Sequence, residues 1–152
     1  MKYNLNSACF EGTFSCDEFV PLKKRGIQCY IVNTGRRSSE GYHWIAIYRD
    51  IDKRKIFYFD SLASPIMMYK ELYKNHILYN FTIIYVNRRI QGIISSLCGH
   101  YAVTFLIHML KYKRTSDFYH LFNVKNTIQL NDRIVCNYIT QRYPFARYFC
   151  GV

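Results

Sequence analysis

The sequence predicts an α+β fold: a small mixed β-sheet with helices around it and a buried central helix. Three observations lead there. Short runs rich in β-branched and aromatic residues recur at strand length, two later stretches are apolar at helical length, and the two kinds are interspersed rather than strictly alternating. The chain has 152 residues, half of them apolar, which suits one packed core. With no internal repeat, low-complexity tract or Pro/Gly/Ser-rich linker, residues 1–152 read as a single domain.

Taken in order, Ile27 to Val32 reads as a strand, followed by a polar loop from Asn33 to Gly41. Tyr42 to Tyr48 and Lys55 to Phe59 read as two further strands, with the charged run Arg49 to Arg54 as their hairpin connection. Tyr42 to Tyr48 is largely apolar on both faces, so it is expected at the centre of the sheet. Ser64 then looks like a helix cap with Pro65 at the first helical position, and Ile66, Met67, Tyr69, Leu72, Tyr73 and Ile77 extend a helical stripe to about Leu78. Phe81 to Val86 is a fourth strand. Cys98 to about Lys111 is the expected buried helix. Asn131 to Gln141 is a final amphipathic one, with Ile134, Val135, Tyr138 and Ile139 inward.

Fifteen Tyr, eleven Phe and one Trp imply that large rings carry much of the packing. The longest apolar stretch, Tyr101 to Leu110, falls short of the roughly 20 residues a bilayer requires. The N-terminus leads into no hydrophobic segment, so neither a signal peptide nor a membrane partner is expected. Lys and Arg outnumber acids 21 to 10, a formal net charge of +11. Such an excess favours polyanions, and the clusters Lys23-Lys24-Arg25, Arg36-Arg37, Arg88-Arg89 and Lys111-Tyr112-Lys113-Arg114 sharpen that expectation. Six cysteines show no CxxC spacing, so no metal site is expected from them. Five read as small buried hydrophobes or idle thiols.

Cys98 differs because of its companions. His43, Asp60, Gln91 and Cys98 follow one another, each where an element end could present it. A thiol at a helix N-terminus is acidified by the helix dipole and by an adjacent imidazolium. An acid can fix the tautomer of that imidazole, and an amide NH₂ with the Cys98 backbone N–H can hold an oxyanion. Each residue taken alone reads more readily as an ordinary structural residue than as a catalytic one. His100 and His108 lie too far apart along one helix to share a metal, and His76 and His120 are not expected to compete with His43.

The motifs extend beyond those four residues. Cys9-Phe10-Glu11-Gly12-Thr13-Phe14, Cys29-Tyr30-Ile31-Val32-Asn33-Thr34, Gly41-Tyr42-His43-Trp44 and the closing Tyr138 to Phe145, in this order, resemble the adenain family, the maturation cysteine proteases of adenoviruses. The resemblance implies Cys98 as nucleophile, His43 as base, Asp60 (where mammalian-virus members carry Glu) as its orienter, and Gln91 as oxyanion donor, with Trp44 packed beside the site. It also implies cleavage of virion precursor polypeptides at glycine-containing sites, in the virion and host nucleus. No cofactor is required for the chemistry; viral DNA, bound nonspecifically through its backbone, and a virion-derived peptide are the expected activators, and the expected state is a monomer. The segments between Asp60 and Gln91 and between Leu110 and Asn131 are shorter than the family's. Asn80 occupies the position at which a cysteine tethers the activating peptide, which removes a covalent link there. Two other readings stand beside this one: a protease for ubiquitin-like modifiers, which shares the His–Asp–Gln–Cys order, and a non-catalytic basic nucleic-acid-binding virion protein.

Overall fold

The computed structural model describes residues 8–21, 25–39, 42–74, 80–86, 88–122 and 128–149. Five strands form one sheet in sequence order: β1 (Phe10–Ser15), β2 (Ile27–Asn33), β3 (Trp44–Asp50), β4 (Lys55–Phe59) and β5 (Thr82–Val86). The two outer pairs are parallel and the two inner pairs antiparallel, so the sheet is mixed. Three helices accompany it: α1 (Lys70–Tyr73), α2 (Cys98–Tyr112) and α3 (Ile128–Thr140).

Alternation along the strands builds two cores. Cys29, Ile31, Ala46, Tyr48 and Phe59 face α2 and meet Tyr101, Phe105, Leu106 and Met109, with Val135 and Ile139 of α3 behind them. Tyr30, Val32, Ile45, Ile47, Ile56 and Tyr58 face the other way, against Cys16, Phe19, Ile66 and Leu72. β3 is thus central and covered on both sides, as its two apolar faces predicted. Aromatic rings organise the α2 side: Phe59 stacks on Phe105 with centroids 4.6 Å apart, and Phe118 meets both edge-on at 5.3 Å.

The β3–β4 hairpin brings distant residues to one edge. Its register pairs Ala46 with Phe59, so the residues preceding β3 and following β4 emerge together there. α2 starts at Cys98 and packs along β3.

Several elements depart from the sequence reading. β1 was not anticipated: Gly12 interrupts its pattern, and the pairing with β2 shifts register between Phe10 and Gly12. β3 begins at Trp44 and runs to Asp50, two residues later than predicted at both ends, which shortens the hairpin turn to residues 51–54. The helix expected from Pro65 to Leu78 is a 3₁₀ turn at Ile66–Met68 and the four-residue α1; residues 75–79, including Ile77, lie outside the described residues. No side chain caps either piece, and Tyr69 separates them with φ −101° and ψ 82°. The Tyr69 ring is drawn inward to a buried carboxylate, a tertiary contact that outweighs helical periodicity. In α3, Asn131 and Cys136 are buried with Val135 and Ile139, whereas Ile134 and Tyr138 are only half-buried.

Phe118→Ala should lower stability by about 3–5 kcal/mol, because it removes a ring enclosed by Phe59, Phe105 and Phe122. Urea denaturation checks this, with Phe145→Ala at an exposed position as the comparison expected to show little change.

Candidate active site

At the shared edge, the His43 Nε2–H donates to Asp60 Oδ1 at 2.8 Å. Asp60 is wholly buried, yet its carboxylate is met by donors: the Leu62 backbone N–H reaches Oδ1 at 2.7 Å and the Tyr69 hydroxyl reaches Oδ2 at 2.9 Å, while the Tyr58 hydroxyl, 3.4 Å from Oδ2, has its shorter contact with the Ser64 carbonyl at 3.0 Å. A buried carboxylate is tolerable on those terms, since each donor replaces a lost water. The bond occupies Nε2 and leaves Nδ1 as the nitrogen that can exchange a proton with Cys98.

His43 is itself positioned from two sides. Its carbonyl accepts from the Thr34 N–H at 2.8 Å, and the Asn33 side-chain Oδ1 accepts from the N–H groups of Gly35 at 2.8 Å and Tyr42 at 3.4 Å. A Cβ on Gly35 would lie 2.7 Å from the Tyr42 ring and 3.1 Å from Asn33 Oδ1, so a larger residue would displace the ring and press on the Asn33 side chain. The predicted loop after β2 is therefore the clamp that sets where the histidine stands.

Cys98 is the first residue of α2, with its thiol half-buried against the imidazole. Burial opposes its ionisation, but the hydrogen bond from His43, the nearby backbone N–H groups of Trp44 and Gly99, and the imidazolium charge outweigh it. The thiol's pKa is held below its ordinary value. For His43, burial likewise opposes the charge, yet Asp60 and Cys98 push its pKa up to about 9. Both shifts favour one state, thiolate beside imidazolium. The indole of Trp44 packs against Gly99, where a Cβ would stand at an ordinary 3.7 Å.

Gln91 is buried, with its amide fixed at both ends. Its Oε1 accepts from the Ser61 hydroxyl at 2.5 Å, and its Nε2 donates one hydrogen to the Ser95 carbonyl at 2.7 Å, which leaves the second hydrogen unassigned. The Ile90 and Gln91 backbone N–H groups both donate to the Ser61 carbonyl, tying this loop to the residue after Asp60. From α3, Asn131 Nδ2 donates to the Ile90 carbonyl at 2.9 Å, and Asp132 accepts from Ser95 Oγ at 3.0 Å and the Tyr101 hydroxyl at 2.8 Å. Ile94, by contrast, is 98% exposed at the loop's tip.

The structure therefore gathers His43, Asp60 and Cys98 in one chain of contacts and secures Gln91 to the Asp60–Ser61 turn. Sequence reasoning missed the supports: Asn33, Ser61, Tyr69, Ser95, Asn131 and Asp132. Only Asn33 lay within a quoted motif; the others carry no local signal. His108 is structural, its Nε2–H donating to the Arg114 carbonyl at 3.1 Å. Beside Trp44 and Gly99 opens an apolar pocket of about 390 Å³, reaching His100 and Val103 on one side and Ile139 and Tyr143 on the other.

Comparison with known proteins identifies the family. The sequence profile of the adenovirus endoprotease family matches residues 10–141. The chain is 32% identical to the protease of bovine adenovirus 7 over 116 residues, and 31% identical to that of bovine adenovirus 4 over the same length. Each match covers 68% of this chain but only 57% and 58% of the relatives, so the chain aligns with little more than half of their length. The protease of snake adenovirus serotype 1 is 47% identical over 60 residues, 40% of this chain and 29% of that protein.

The raised His43 pKa has a pH consequence. Protonation of His43 stabilises the fold fully below its unfolded value near 6.5, and this contribution is lost as pH rises through about 9. Asp60→Asn removes the charge that holds the proton, so the pH at which His43 deprotonates should fall below about 9. NMR titration of the imidazole in both proteins measures it; an unmoved titration would dissociate Asp60 from the histidine.

Proposed function

We propose that this chain, which belongs to the adenovirus endoprotease family, is a cysteine endopeptidase with Cys98 as nucleophile and His43 as its acid and base. The observation that carries the reading is the continuous contact from Asp60 through His43 to Cys98, with the imidazole pKa raised and the thiol pKa lowered.

The steps follow from the atoms in place. The Cys98 thiolate attacks the scissile carbonyl carbon, and the carbonyl oxygen becomes an oxyanion. The Cys98 backbone N–H and the second hydrogen of the Gln91 amide serve as its donors; a single donor of this kind is worth about 2.7–4 kcal/mol in comparable sites. The intermediate collapses with cleavage of the C–N bond, and His43 gives its proton to the departing amine. Water, deprotonated by His43, then attacks the thioester and releases the acid product together with the thiol. Asp60 keeps the imidazole in one orientation throughout without itself taking the proton.

The substrates in this reading are virion precursor polypeptides cut at glycine-containing sites. A glycine near the scissile bond lets the substrate backbone lie close to Trp44 and Gly99, and the apolar pocket beside them can seat a neighbouring side chain. Stimulation by viral DNA fits the net charge of +11. A peptide activator would bind without a disulfide at position 80, where an exposed Asn stands in a left-handed turn. The protein would act as a monomer, in the virion and the host nucleus.

Cys98→Ala should abolish cleavage of a glycine-containing peptide while leaving the circular dichroism spectrum intact. Turnover equal to that of the native protein would reject Cys98 as nucleophile. Ubiquitin and SUMO carrying a C-terminal propargyl group should leave Cys98 unlabelled; capture by either would instead place the enzyme among proteases for ubiquitin-like modifiers.

A further inference from the structure

One basic residue, Arg88, meets a segment remote from it in sequence. Arg88, after β5, and the segment following Lys111-Tyr112-Lys113-Arg114 enclose a pocket of about 460 Å³ lined by Tyr85, Arg88, Thr115, Ser116, Tyr119 and His120. Every lining side chain carries a polar atom, unlike the apolar pocket beside Cys98. None of the four proposed catalytic residues contributes to it.

Its cation is uncommitted. Among the described residues Arg36 is paired with Glu71 and Arg37 with Glu18, each at 2.5 Å, which offsets that cluster's charge. Arg88 has no carboxylate partner among them; its guanidinium lies 5.1 Å from the centre of the Tyr119 ring. The Arg88 backbone N–H donates to the Tyr119 hydroxyl at 2.8 Å, so that oxygen is already accepting and its own proton is left to donate. The nearby carboxylate of Asp117 is occupied by Arg114 and by the Ser116 hydroxyl at 2.9 Å. Donors of four kinds thus border one space: the Arg88 guanidinium fork, the His120 imidazole, the Thr115 hydroxyl and two phenols, while the Ser116 hydroxyl has its proton committed to Asp117.

We propose that this pocket binds a phosphate group. A guanidinium can bind two phosphate oxygens at once, and hydroxyl and imidazole donors set around it suit the remaining oxygens of a tetrahedral anion better than a planar carboxylate. The Tyr85 ring, partly exposed at the rim, offers a stacking face if the phosphate is carried by a nucleotide. The site is independent of the proteolytic reading.

Isothermal titration at low salt with inorganic phosphate, with adenosine 5′-monophosphate and with a short oligothymidylate tests it. Saturable binding of inorganic phosphate is expected, weakened about tenfold or more by Arg88→Ala and by Ser116→Glu, and unchanged by Arg25→Ala. Ser116 is exposed on its loop, so its substitution probes the pocket even if truncation of Arg88 disturbs folding. Tighter uptake of the nucleotide or the oligomer assigns the phosphate to nucleic acid or its monomers, and equal uptake assigns it to the free anion; either supports the site. No saturable binding of any of the three, or binding that survives both pocket substitutions, overturns it.

Discussion

The carboxylate of Asp60, wholly removed from solvent and bonded to His43, is the constraint around which the rest of this molecule is arranged. A buried charge must be matched by donors, and here they come from three places: the histidine before β3, the backbone of the turn after β4, and the Tyr69 hydroxyl. Tyr69 can reach the carboxylate because the chain breaks helical geometry at that residue. A feature that looks like a failed helix is thus the means by which a distant hydroxyl satisfies the acid.

From that carboxylate the order propagates outward. Ser61, the next residue, fixes the Gln91 loop through its carbonyl and its hydroxyl, and α3 holds the far side of the same loop through Asn131 and Asp132. The loop between β5 and α2 is therefore bound at both walls while its tip, Ile93 and Ile94, stands in solvent. Preorganisation of this kind is what an oxyanion donor needs, since a donor already oriented requires no rearrangement as charge develops. On the other side Asn33 and Gly35 do the same for His43. The two cores supply rigidity, and the α2 core in particular sets the helix whose first residue is Cys98.

The charge excess is not spread evenly in its effect. Among the described residues Arg36 and Arg37 are answered by acids, whereas Arg88 has no carboxylate partner and faces a polar pocket built from a different part of the chain. Net charge alone could suggest a polyanion partner, but the location of uncompensated charge depends on which carboxylates the fold brings close.

The sequence by itself determined the architecture and the order of the candidate site residues. Strand patterning gave β2 to β5, the apolar run gave α2 with Cys98 at its start, and the chain order His43, Asp60, Gln91, Cys98 marked the candidate residues. These were legible because hydrophobic alternation and residue type are local properties. Tertiary structure alone decided the helix that became a 3₁₀ turn and α1, the edge strand β1, and the supports Ser61, Tyr69, Asn131 and Asp132. Each of these answers to a partner remote in sequence, a buried carboxylate, a strand edge or a loop carbonyl. Hydrogen-bond satisfaction across such distances leaves no periodic trace in the chain.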